Sequence, residues 1–164
     1  MARLPEMRIE NARILFRNFS GEEKKDPNTG KIVNREGDRN FCIQINPEDA
    51  DRLLADGWNV KHSKPSEEYD DVIYYLPVAV RFDNFPPTIK MYTKRKEERL
   101  SEDTVAILDD VNTVIKSADI AINPSAWEVN GRSGIKAYLS KAYIVVEEDD
   151  WEEKYAMYTR DQED

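Results

Sequence analysis

The sequence predicts a mainly β chain folded as a small antiparallel barrel, with one or two short helices and an acidic, disordered C-terminal tail. Apolar and polar residues alternate over several short segments, as strands with one buried face require. Most of these segments are joined by turn-forming clusters of Gly, Asn, Asp and Pro. Strand and helix patterns do not alternate at βαβ spacing, which argues against a parallel α/β sheet.

Taken in order, residues 7–19 (MRIENARILFRNF) alternate as one long strand, with Ala12, Ile14 and Phe16 on one side and Arg13, Leu15, Arg17 and Phe19 on the other. Residues 20–38 are rich in Gly, Asn, Asp and charge and read as a long mobile hairpin loop. RNFCIQI (39–45) is a strand with Phe41, Ile43 and Ile45 inward. NPEDADRLLADG offers a cap, first-turn acids and a terminal glycine, so a helix is expected from about Pro47 to Asp56. VIYYLPVAVRF (72–82) is a strand in which Pro77 suggests an edge or a bulge.

TIKMYT (88–93) follows as a short strand, and SEDTVAILDDV has the start signal and spacing for a helical turn or two. A strand ending at WEV, the turn NGRSG and the strand GIKAYLSKAYIVV complete the body. Trp58 and Phe82 read as core. The pattern favours an OB-fold-like barrel over residues 1–146, followed by a tail over 147–164.

Composition narrows the function. The chain has 164 residues, enough to bury a core without disulfides or metal. Cys42 is the single cysteine and His62 the single histidine, so neither an internal disulfide nor a Cys/His zinc site can be assembled. The start lacks an apolar signal-peptide core, no apolar run is long enough to span a membrane, and a soluble cytoplasmic protein is expected. The net charge of −9 is unevenly spread: residues 147–164 hold nine acids and two bases, whereas residues 1–146 hold 22 bases and 24 acids. Residues 47–71 carry eight acids against three bases, while residues 131–146 carry Arg132, Lys136 and Lys141 and no acid.

Catalysis has little to build on. His62 lies in a charged loop without a companion motif, and Cys42 sits in a strand pattern. NGRSG lacks the following helix of a phosphate cradle, and the adjacent carboxylates Asp70/Asp71 and Asp109/Asp110 read as solvated loop or helix-end charge. No enzyme and no cofactor is expected. Basic and aromatic residues share parity instead, as single-stranded nucleic acid requires: cations to follow phosphates and rings on which bases stack. Lys136 and Tyr138 oppose Ile135, Ala137 and Leu139; Lys90 and Tyr92 oppose Ile89 and Met91; Tyr75 and Arg81 oppose Leu76, Val78 and Val80; and Arg13, Arg17 and Phe19 share a side of the first strand. Lys94, Arg95 and Lys96 extend the set, as does Arg132 at the hairpin tip. Arg39, with Lys24, Lys25, Lys31 and Arg35, would make the 20–38 loop a clamp on DNA. Trp127 reads equally as core or as a stacking platform, and for each residue alone an ordinary structural role is at least as good an explanation.

In chain order, ENARILFRNFSG, RNFCIQI, WEVNGRSGIKAYL and an acidic end containing Trp and Tyr resemble phage-type single-stranded DNA-binding proteins of the OB fold over most of the chain. The resemblance implies a DNA groove at the last hairpin, with Trp127, Arg132, Lys136 and Tyr138 at or near it. It also implies an acidic tail that contacts partner proteins of replication or recombination through Glu147, Glu148, Asp149, Asp150, Trp151 and Tyr155. The chain departs from that pattern by running on as WEEKYAMYTR, which has the spacing of an amphipathic turn. A tethered acidic tail beside a cationic groove competes with phosphate at high effective concentration and is released when DNA displaces it; a simple solubilising role is the plainer reading. The expected function is coating of single-stranded DNA, with no membrane partner, and homo-oligomerisation is compatible with the sequence. The rival readings are an acidic DNA mimic that inhibits a host nuclease and a β-rich virion protein.

Overall fold

A computed structural model of the chain describes residues 4–63, 72–83, 85–94 and 96–147, and it is mostly β. The strands are β1 (Met7–Ile9), β2 (Ile14–Asn18), β3 (Lys24–Lys25), β4 (Ile32–Asn34), β5 (Arg39–Ile45), β6 (Lys61–His62), β7 (Tyr74–Val80), β8 (Thr88–Tyr92), β9 (Glu97–Leu100), β10 (Ile115–Val129) and β11 (Arg132–Val146). Helix α1 spans Pro47–Asp56, and a 3-10 turn spans Val105–Asp109.

The main sheet runs β1-β10-β11-β7-β5-β2, with β6 against β7 and β9 reaching the sheet through β8, which pairs with β11. The long hairpin β10–β11 forms its spine. Its loop is the pair Asn130–Gly131, both with positive φ (52° and 78°), as a two-residue turn between twisted strands demands. The fold is consistent with an OB-like barrel, but β1 and β2 do not pair and the sheet is not closed. Nor is it purely antiparallel. β7 and β8 follow one another along the same edge of β11, and both run parallel to it.

Alternation builds the core. Phe41, Ile43 and Ile45 of β5, Leu76, Val78 and Val80 of β7, and Ile89 and Met91 of β8 point inward with Ala137, Leu139, Ala142 and Ile144 of β11. Helix α1 begins and ends where its sequence signals lie. Asn46 Oδ1 accepts from the Asp49 N–H at 2.8 Å, and Gly57 adopts φ 101° at the C-terminal end.

The expected first strand is broken in two. Asn11 takes φ 51° and donates its N–H to Asp119 Oδ1, so β1 joins β10 while β2 joins β5. Phe16, at φ 50°, interrupts the β2–β5 register and reverses the expected sides. Phe16 becomes 63% exposed, while Phe19 is fully buried and stacked on Phe41 at 5.0 Å. Within the 20–38 segment, β3 and β4 pair as a small separate sheet. The residues directly after Lys96 form β9, antiparallel to β8. Asp109 accepts the backbone N–H groups of Phe19 and Ser20 at 2.8 and 2.7 Å, and Asp110 accepts that of Asn112, so both carboxylates hold backbone, Asp109 from a part-buried position. Asp70/Asp71 lie outside the described residues.

Candidate nucleic-acid interface

The outward face of β5, β7 and β11 combines small, aromatic and cationic residues. Asn40 of β5 pairs with Ala79 of β7, Ala79 with Tyr138 of β11, and Tyr138 with Asn123 of β10, giving one row across the sheet. Ala79 leaves the middle of this row low. Pro77 is tolerated here because β6 pairs with β7 only at Tyr74 and Tyr75 and β11 only at Val78 and Ala79, so the strand has no partner on that edge at residue 77. Beside it on β5, its cross-strand partner Cys42 is buried, and burial pushes its thiol up to about 11 despite the nearby Lys61.

A groove of about 840 Å³ opens at one end of this face, lined by Arg39, Trp58, Arg81, Phe82, Trp127 and Lys136 among others. Its charges are held in place. Lys136 Nζ lies 5.3 Å from the centre of the Tyr138 ring, and the Arg39 guanidinium lies 5.6 Å from that of Phe82. Arg81 donates to Asp83 Oδ2 at 3.2 Å, which raises its pKa, with a smaller contribution from Tyr138. Arg39 Nη1 reaches Glu102 Oε1 at 3.5 Å, and its buried Nε has no hydrogen-bond partner among the described residues. Trp127 is 43% exposed, and its indole covers Gly134 of β11, its cross-strand partner.

Two of these contacts can be tested directly. A Cβ at Gly134 would lie 2.8 Å from Trp127 Cζ2, so Gly134→Ala is expected to push the indole off the strand. The expected readouts are a shift in tryptophan emission and a loss of DNA affinity of about fivefold, for roughly 1 kcal/mol of stacking. Glu102 occupies Arg39, a contact that a phosphate would have to displace. Glu102→Gln is therefore expected to tighten oligo-dT binding about two- to fivefold at low salt, the scale of an exposed ion pair, and to lose that gain at high salt.

The sequence candidates divide between this face and other places. Arg39, Arg81, Trp127 and Lys136 line the groove, with Tyr138 beside Lys136. Tyr75 lies on the same outward face, edge-on to Phe16 at 5.2 Å. Arg132 is exposed at the start of β11. Lys90 and Tyr92 are on β8, bonded to Glu97 of β9, and Lys94 is exposed just beyond; they do not line the groove. Arg13 lines a separate depression near α1. Arg17 is a correction: its guanidinium donates to the carbonyls of Leu108 and Thr113 at 2.8 and 3.0 Å, tying β2 to the 3-10 turn. Phe19 is another, because a fully buried ring cannot stack on a base. Glu147 is exposed, whereas Arg95, Glu148, Asp149, Asp150, Trp151 and Tyr155 lie outside the described residues. Trp58 and Phe82 do pack on the core, but they also border the groove, a role that strand alternation alone does not signal.

The family model described as "Putative phage ssDNA-binding domain" matches residues 1–164. The chain belongs to this family. No curated protein matches it. Among solved structures, this phage ssDNA-binding domain is similar to the single-stranded DNA-binding protein from bacteriophage Enc34 in a C-terminally truncated form, with TM-score 0.51 and 11% identity over 88% of this chain and 87% of that one. It is also similar to the Enc34 protein in complex with ssDNA, with TM-score 0.50 and 12% identity over 88% of both chains. At such identity the likeness concerns the fold. Among the described residues, no group of three or more His, Cys, Asp or Glu could hold a metal ion, and no helix is long and apolar enough to cross a membrane.

Proposed function

We propose that this member of the phage ssDNA-binding family binds single-stranded DNA in the groove bordered by Arg39, Arg81, Phe82, Trp127 and Lys136, and on the adjoining Tyr138. The observation that carries the reading is the convergence of separate strands, β5, β7, β10 and β11, on one surface where Arg39 and Lys136 each lie beside a ring. Cations there follow the phosphates and rings stack bases without a strict sequence requirement. The role is binding rather than catalysis: coating and protecting DNA during phage replication or recombination in the host cytoplasm. The acidic residues from Glu147 onward compete with DNA for the groove and, once displaced, recruit replication or recombination proteins.

The test is fluorescence anisotropy of labelled oligo-dT with the full chain and with a chain ending at Val146, both checked for folding, over a range of salt. With Arg39, Arg81 and Lys136 on phosphates, log K should fall against log salt with a slope near −2, about −0.7 per contact. The shortened chain should bind more tightly. Equal affinity of the two chains would remove the competing tail, and no binding by either would remove the coating role.

A further inference from the structure

Beyond Tyr138, strand β11 bears a second set of outward cations and rings, and a bulge is what turns them outward. On the groove side of the bulge the inward residues are Ala137 and Leu139. Continued alternation would put Lys141 and Tyr143 in the core. Instead the pairing passes from Ile122 with Leu139 to Ala121 with Lys141, so Ser140 is an extra residue and parity reverses. Ala142, Ile144 and Val146 become the buried set, and Tyr143 is 38% exposed.

Around Tyr143 the sheet adds matching residues. Tyr143 pairs with Lys90 of β8, and Lys90 with Arg99 of β9, placing two cations and a ring in one row. The Tyr92 ring lies 6.4 Å from that of Tyr143, inclined by 35°. Two carboxylates on this face are engaged: Glu97 takes Lys90 at 3.0 Å and the Tyr92 hydroxyl at 3.4 Å, and Asp119 accepts the Asn11 N–H. Lys141 and Arg99 make no ion pair among the described residues.

We propose that single-stranded DNA leaving the groove past Tyr138 continues along β11 to a second station formed by Lys141, Tyr143, Tyr92 and Arg99. Tyr138 and Tyr143 are separated by about 16 Å of strand, at roughly 3.3 Å per residue. That span extends the contacted DNA within the roughly 4–16 nucleotides one OB fold covers. The inference rests on the DNA-binding reading, and oligonucleotide length separates the two.

The experiment compares the full-length protein with Lys141→Ala/Tyr143→Ala on oligo-dT of about 4 and about 16 nucleotides, the ends of that range. The variant is expected to lose about tenfold in affinity for the long oligonucleotide, roughly one stacked base with one phosphate contact, and less than about twofold for the short one. Its occluded site in a stoichiometric titration should also shrink. Arg99→Glu on β9, the strand beyond β8, should show the same length dependence and guards against a folding defect in the first variant. Wild-type binding to both lengths with folded variants that match it, or that lose equally on both, would overturn the second station alone. Wild-type protein that binds neither length would overturn the DNA-binding reading and this inference with it.

Discussion

Replacing Lys136 and Tyr138 together by alanine is expected to weaken oligo-dT binding at least about tenfold while the thermal midpoint hardly moves. The size follows from the lost groups: a stacked base is worth about 1–3 kcal/mol, a phosphate contact adds to it, and 1.4 kcal/mol is already tenfold. The stability expectation follows from position. Lys136 is exposed and Tyr138 half-buried on the outward face, their side chains meet each other rather than the core, and surface substitutions of this kind fall within about 0.5 kcal/mol. Anisotropy titration and a thermal melt on the same samples check both halves. Unchanged affinity in the folded variant would remove these residues from the site.

Phe41→Ala should do the reverse, with its primary effect on folding. Phe41 is fully buried, stacked on Phe19 at 5.0 Å, and flanked on β5 by residues that pair with β7 on one side and β2 on the other. Truncating a buried phenylalanine costs about 3–5 kcal/mol through lost burial and the cavity left behind. For a domain of this size that corresponds to a fall of roughly 6–20 °C in the thermal midpoint. A drop of only a degree or two in a calorimetric melt would show that the Phe19–Phe41 pair is not central to the core.

These substitutions also show which features were legible in the sequence. Helix α1 was readable from end to end because its signals are local: Asn46 caps, Pro47 starts and Gly57 stops it. The inward set of β5 and a turn within NGRSG were readable for the same reason, since alternation and turn chemistry are properties of a few neighbouring residues, although β11 starts at Arg132, inside that stretch. Lys136, Tyr138 and Arg81 could be assigned to the outward face from parity alone.

Parity fails where the backbone departs from it. Phe16 at φ 50° exchanges the sides of β2, so Phe16 and Phe19 were assigned to the wrong faces. The bulge at Ser140 does the same in β11, which is why Lys141 and Tyr143 were absent from the candidate residues. Other features depend on long-range pairing. Arg17 meets carbonyls 91 and 96 residues away, and Arg39 meets Glu102 across 63 residues. No pattern within one strand encodes these partners. The parallel alignment of β7 and β8 on β11 is equally non-local, since it depends on where the chain re-enters the sheet.

Binding of DNA on the β5–β7–β11 face and in its groove would leave its mark on the backbone amides there. The most direct measurement is a residue-by-residue map of backbone amide chemical shifts as oligo-dT is added to the isotopically labelled full-length chain. The largest changes are expected at Arg39, Ala79, Arg81, Trp127, Lys136 and Tyr138, followed by Lys141 and Tyr143 with the longer oligonucleotide, and little change at Arg13 or around α1. Changes centred on the Arg13 depression or on the small β3–β4 sheet, with the groove residues unmoved, would contradict DNA binding at this face.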